Sequence, residues 1–142
     1  MIRRAKVADA PRVHAILLAA RDDISLDANF ADDAHKEWVR ARCRDGDVWV
    51  RIEEGRIAGA MVMSVCEIFY LVVAPDFRRS GIGEELVRHA VANVWKRYKT
   101  ATIAKTKASN APAHALIERL GFVRDYDAAV QPGWDLYRST SS

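Results

Sequence analysis

The sequence predicts a mixed α+β domain, and three stretches carry that prediction. Ile68–Ala74 is an unbroken apolar run, too short to span a membrane and apolar at both alternating positions, as in a strand covered on both faces. Pro75 cannot extend a ladder and ends the run. A basic, glycine-bearing loop follows, Arg78-Arg79-Ser80-Gly81-Ile82-Gly83, and then Leu86, Val87, Ala90, Val91, Val94 and Trp95 recur at helical spacing. Upstream, Val48–Glu53 and Arg56–Val65 flank Glu54-Gly55 as the arms of a hairpin. Cys66 leads straight from that hairpin into the apolar run, so the three strands read as a meander.

The remaining elements follow in chain order. Ile2–Lys6 reads as a first strand. Asp9 reads as a helix N-cap with Pro11 in the first turn, and Val13, Ile16, Leu17 and Ala20 as the buried face. His14, beside that face, reads as a partly buried helix histidine. Asp22, Asp23, Asp27, Asp32 and Asp33 form either a solvated acidic loop or a rim that attracts a cationic acceptor. A second helix is expected over 33–44, with Trp38, Val39 and Cys43 inward. Gly59 inside a strand suggests a bulge or a close contact.

Beyond the long helix, which Lys96, Arg97, Lys99 and Thr100 close, a short strand is expected over 101–106. Asn110 caps a further helix with Pro112 in its first turn. Ala113, Leu116, Ile117 and Leu120 form its buried side, and Gly121 with Phe122 its C-terminal stop. Segments 122–128 and 134–138 read as a closing hairpin around Gln131-Pro132-Gly133, and 139–142 as a frayed end.

At 142 residues, 50% hydrophobic and 29% charged, the chain is expected to be one soluble globular domain, residues 1–142. A net charge of +3 is compatible with anionic ligands but does not demand nucleic acid. Cys43 and Cys66 form neither a CxxC pair nor a metal spacing, so both read as reduced packing residues of a cytoplasmic protein, and no metal is expected. Met1-Ile2-Arg3-Arg4 lacks the apolar core of a signal peptide.

The order strand, glycine loop, helix has a physical meaning. The first N–H groups of a helix have no internal acceptor, and the helix dipole places partial positive charge there. Gly81 and Gly83 let backbone approach a phosphate, and Arg78 and Arg79 attract it. The plainer alternative is an ordinary strand-to-helix turn with solvated arginines.

Arg78-x-x-Gly81-x-Gly83 after a strand resembles the acyl-CoA pyrophosphate loop of the GNAT superfamily of N-acetyltransferases. Asn110-x-x-Ala113-x-x-Leu116, closing on Leu120-Gly121-Phe122, resembles that superfamily's second block. The match covers residues 67–122. The resemblance implies a twisted, mostly antiparallel sheet of six or seven strands with helices on both faces, splayed between strands four and five. It implies acetyl-CoA as acyl donor, with the main chain of Leu71, Val72 and Val73 pairing the pantetheine arm as an added strand would. The N–H groups of Arg79, Ser80, Gly81, Ile82, Gly83 and Glu84 would hold the pyrophosphate beside Arg78, and Asn110 would reach the cofactor from the fifth strand. Expected partners are acetyl-CoA and an amine acceptor, with no membrane and no nucleic acid, and a homodimer is left open.

The implied reaction is transfer of acetyl from a thioester to the amine of a small molecule or a lysine side chain. A free alkylamine has a pKa of about 10, so something must take its proton. The resemblance places Glu67 as that base, against the alternative of a carboxylate at a strand start in water. The N–H of Val73 would serve the oxyanion. Tyr70 and Tyr137 are candidate acids, each also readable as a packing residue. Two departures stand out. The tyrosine by which many members protonate the thiolate falls at Ile117, either beside the thioester or sealed in the core. Lys105 stands where the ribosomal-protein-acetylating branch carries a glutamate. A CoA-binding sensor without catalysis, and a loop for another phosphate ligand, are the alternatives.

Overall fold

The computed structural model describes residues 1–21 and 33–140. Asp22, Asp23, Asp27 and Asp32 of the acidic stretch, and the last two serines, lie outside the described residues. Seven strands are hydrogen-bonded in the order β1-β2-β3-β4-β5-β7-β6: β1 (Ile2–Arg4), β2 (Val48–Glu53), β3 (Arg56–Ser64), β4 (Glu67–Val73), β5 (Ile103–Lys107), β6 (Val123–Arg124) and β7 (Trp134–Arg138). The pairs β1–β2, β2–β3, β5–β7 and β6–β7 are antiparallel, whereas β4–β5 is parallel. The described helices are α1 (Ala10–Ala19), α2 (Asp33–Arg44), α3 (Ile82–Tyr98) and α4 (Ala111–Arg119). Close packing groups the chain into two compact units: one of Met1–Met63 with Tyr70–Leu86, the other of Ser64–Phe69 with the chain after Leu86.

In the first unit, α1 buries Val13, Ile16 and Leu17, and α2 buries Val39 and Cys43. Burial also pushes the Cys43 thiol up to about 11. Asp9 holds the N-cap position of α1, as expected, but its side chain makes no capping bond there. Its carboxylate turns back to accept from the Lys6 N–H at 2.7 Å and the Arg3 guanidinium at 2.8 Å, because a short 3-10 turn, Val7–Asp9, precedes the helix. The β2–β3 hairpin turns at Glu54 and Gly55, both at positive φ, the two-residue turn whose twist suits a hairpin.

Strand β3, not β4, is the one buried on both faces, from Ile57 to Met63. In β4 the Ile68/Val72 face is buried, but Phe69 is exposed and Leu71 and Val73 only half-buried. An apolar run thus marks a strand in a sheet interior without fixing what covers each face.

The register shifts between Arg51↔Gly59 and Ile52↔Ile57, leaving Ala58 as the extra residue of a bulge. A Cβ at Gly59 would lie 2.8 Å from Ile82 Cγ2, 3.1 Å from the Val72 carbonyl and 3.2 Å from Leu86 Cδ1. The bulge and the close contact suggested by the sequence are both present. The missing side chain lets the first turn of α3 rest on β3.

In the second unit, β5 pairs with β7 from Ile103↔Arg138 to Lys107↔Trp134. Helix α4 begins where Asn110 Oδ1 accepts the Ala113 N–H at 3.3 Å. It ends in a Schellman motif: Phe122 N–H reaches the Ile117 carbonyl and Gly121 N–H the Glu118 carbonyl, each at 3.0 Å. Three expectations need correction. Trp95 is 42% exposed, because the buried stripe of α3 runs through Leu86, Val87, Ala90 and Val94 and leaves it at the edge. The arm expected over 122–128 pairs only at Val123 and Arg124, since Asp125 Oδ1 accepts the Asp127 N–H at 3.0 Å and turns the chain. Ser139 and Thr140 are tied down: Ser139 exchanges two hydrogen bonds with Thr102, and the Thr140 hydroxyl donates to the Gly121 carbonyl at 2.7 Å.

Gly59→Ala should destabilise the fold by about 1–3 kcal/mol, because one of its close neighbours is a backbone carbonyl that cannot swing away. Denaturant unfolding measures this directly. An unchanged midpoint and slope would mean that α3 does not rest on β3 at this point.

Candidate active site

The loop after β4 is built as an anion seat would be. A 3-10 turn, Pro75–Phe77, leaves the strand and buries Phe77, with the Arg56 guanidinium 4.8 Å over its ring. The Ser80 hydroxyl donates to the Phe77 carbonyl. Arg79 and Gly81 are both left-handed, at φ 65° and 81°. For Arg79 this conformation is uncommon. Left-handed residues in such a turn aim successive N–H groups into a concavity that suits an anion.

The first helical bond of α3 runs from Glu85 N–H to the Gly81 carbonyl at 3.0 Å. The N–H groups of Ile82, Gly83 and Glu84 therefore precede the ladder at the positive end of a 17-residue helix. Arg78, Arg79, Ser80 and Gly81 are exposed. A Cβ on Gly81 would meet nothing within 4 Å, so the protein itself requires this glycine for its φ and not for space.

Leu71, Val72 and Val73 close β4 immediately before this loop. The parallel ladder from β4 to β5 holds only Glu67↔Ile103 and Ile68↔Ala104.

Of the other candidates, Glu67, Asn110 and Tyr137 lie in the second unit. Glu67 Oε1 is 3.1 Å from Lys105 Nζ, with the side chains 23% and 42% exposed. Glu67 is therefore an ion-paired carboxylate and not one facing water alone. Asn110, half-buried, spends its Oδ1 on the α4 cap. Tyr70, in the first unit, packs edge-on against Trp38 with ring centroids 6.0 Å apart.

Tyr137 is buried within a polar network that sequence reading did not assemble. Its hydroxyl donates to Glu118 Oε1 at 2.9 Å and lies 2.7 Å from His114 Nδ1. His114 Nε2 lies 2.9 Å from the Lys107 carbonyl, 3.2 Å from Thr106 Oγ1 and 3.6 Å from Asp135 Oδ2. Arg124 closes the network on Asp135 at 2.6 Å. Burial, and then the Glu118 hydrogen bond and nearby carboxylate charge, push the phenol up to about 12. A phenol so held is a poor acid. The spacing of His114 and Glu118, four apart on one helix, was the available signal for this network.

The profile of the Acetyltransferase (GNAT) family matches residues 12–122. The chain belongs to this family. Acetyl-CoA is the family's co-substrate, and the loop at the N-terminus of α3 fits its pyrophosphate by conformation and charge. A curated relative, the [ribosomal protein bS18]-alanine N-acetyltransferase of Escherichia coli K12, is 37% identical over 62 residues, which are 44% of this chain and 42% of that protein. The chain thus spans about two fifths of the length of the curated relative it matches. The crystal structure of ribosomal-protein-alanine N-acetyltransferase from Brucella melitensis is 26% identical, covers 97% of this chain and 96% of that one, and superposes with a TM-score of 0.76. The structure of yncA from Salmonella typhimurium, solved with acetyl-CoA, shares the fold at 24% identity and a TM-score of 0.75, over 97% of this chain and 90% of that one. Among the described residues, no helix is long and apolar enough to cross a membrane.

Ile117, at the position matching the GNAT tyrosine, is 5% exposed and sits at the Schellman position that packs on buried Phe122. Of the two readings of this residue, the sealed one holds. Ile117→Tyr should overpack the end of α4 and cost about 1–3 kcal/mol. A thermal unfolding curve matching the parent's would mean that this side chain has room to turn outward.

Proposed function

We propose that the protein transfers the acetyl group of acetyl-CoA to a primary amine, carried by a small molecule or by a lysine side chain. The observation that carries this reading is the left-handed pair Arg79 and Gly81 directly ahead of α3, with two exposed arginines and the helix's first N–H groups in the same turn. In this reading that loop holds the pyrophosphate, and the main chain of Leu71, Val72 and Val73 pairs with the pantetheine arm. The Val73 N–H supports the oxyanion.

Glu67 accepts a proton from the acceptor's ammonium, directly or through water, and the neutral amine so formed attacks the thioester carbonyl. Lys105 Nζ lies 3.1 Å from Glu67 Oε1, so in this reading the acceptor competes with Lys105 for the carboxylate or reaches it through water. The thiolate of CoA, with a pKa of roughly 8.5 by analogy with cysteine, leaves to water. The names of the relatives point to a protein's amino-terminal alanine as acceptor. Lys105 in place of that branch's glutamate favours a different amine. A second reading, a CoA-binding sensor with little or no catalysis, draws on the same two facts that remove the phenol: Ile117 is sealed and Tyr137 is engaged.

A panel of small amines, lysine peptides and alanine-ended peptides, read by thiol release, separates these readings. Turnover with any amine rules out the sensor, and preference for the alanine-ended peptide rules out the proposed acceptor class. Gly81→Val should weaken CoA binding by well over tenfold, more than about 1.4 kcal/mol. The fold should survive, because the new side chain strains φ without meeting a neighbour. Calorimetry on the folded variant checks it, and unchanged affinity would remove the pyrophosphate assignment. Glu67→Gln should slow turnover by about 10² or more at neutral pH and leave CoA affinity nearly unchanged. Its defect should shrink as pH rises, because more amine then arrives neutral. A pH–rate profile identical to the parent's would exclude Glu67 as base.

A further inference from the structure

The helix end proposed to hold a phosphate carries acidic side chains of its own, Glu84 and Glu85, in its first turn. Carboxylates there suit the helix dipole but repel an anionic ligand. Glu85 is held by a partner from another element: its Oε2 lies 2.7 Å from Arg51 Nε. The same guanidinium reaches Glu53 Oε2 at 2.9 Å and donates to the Ile52 carbonyl. Arg51 is only 15% exposed, against 47% for Glu85, so the arginine is fixed while the carboxylate remains half in water.

Strand register explains how Arg51 comes to be there. Arg51 is the cross-strand partner of Gly59, and such partners project from the same face of the sheet. The glycine that makes room for Ile82 and Leu86 thus also leaves the arginine a clear path to the helix. We infer that Arg51 is a positioning residue of the anion site, seating the first turn of α3 and cancelling the Glu85 charge that would otherwise oppose a bound phosphate. This role rests on the loop being the phosphate seat proposed above.

Calorimetric titration with CoA, alongside thermal unfolding of each variant, tests the role. Arg51→Met leaves Glu85 uncompensated and should weaken CoA binding about five- to tenfold. Glu85→Gln should bind as the parent does or more tightly. The double variant should regain most of the affinity lost in Arg51→Met. A merely structural contact would lower thermal stability in Arg51→Met and in the double variant alike, with no recovery of affinity. A folded Arg51→Met that binds like the parent, or a double variant as weak as Arg51→Met, overturns the inference. Should Arg51→Met fail to fold, Glu85→Gln decides alone, because weaker CoA binding in that variant is the opposite of what charge cancellation requires. No CoA binding by the unaltered protein would overturn the phosphate seat itself, an outcome distinct from any of these.

Discussion

The first turn of α3 can lie on β3 only because Gly59 has no side chain, and the geometry of the candidate cofactor loop follows from that contact. The end of β4 is fixed one residue away: the Ala74 N–H donates to the Ala58 carbonyl at 2.7 Å, and Ala58 is the extra residue of the bulge. The two ends of the loop are therefore tied to adjacent residues of one strand, Ala74 to Ala58 and Ile82 to Gly59. The intervening chain has to leave the strand and return over a very short span. Left-handed conformations at Arg79 and Gly81 are how it does so, and turns of this kind suit an anion. The strain at Arg79 is a local cost, of order 1 kcal/mol or more, that the surrounding contacts hold in place.

Charge is arranged around the same turn. A helix N-terminus with acidic residues in its first turn is well capped in the absence of ligand, but it is a weaker anion site unless those residues are answered. Arg51 answers Glu85 from a strand, while Arg78 and Arg79 stay exposed and face solvent. The net charge of +3 says little about this, because the relevant balance is local to one turn.

What the sequence made legible was what local chemistry decides. The Glu54-Gly55 hairpin, the helix over 33–44, the Asn110 cap and the Gly121-Phe122 stop each depend on a few consecutive residues, and each is where it was expected. Gly59 belongs with them, since a glycine inside a strand has few explanations. What was not legible depended on distant partners. Asp9 has the composition of a cap, but Arg3 and Lys6 hold it from the other side. Trp95 fits the helical period yet falls outside the buried stripe. Ser139 and Thr140 look like a loose end until Thr102 and Gly121 supply partners. The loop residues were found because strand, glycine and helix are contiguous. The polar network of His114, Glu118, Tyr137 and Asp135 was not, because it joins a helix and a strand that are not contiguous in the chain.

That network bears on how much the chemistry asks of the protein. At neutral pH an alkylammonium lies about 3 units below its pKa, so supplying the neutral amine costs about 4 kcal/mol unless a base shares the proton. A thiolate of pKa roughly 8.5 lies only about 1.5 units from neutrality, a difference of about 2 kcal/mol that water can meet. The two proton transfers are therefore unequal, and the amine is the one that needs a side chain. A GNAT chain that buries Ile117 at the tyrosine position and holds its Tyr137 phenol on Glu118 lacks those two side chains for the less demanding step. In the proposed reaction Glu67, ion-paired with Lys105, is the carboxylate assigned to the more demanding one. In that light the missing phenol weighs less against catalysis than a missing carboxylate would.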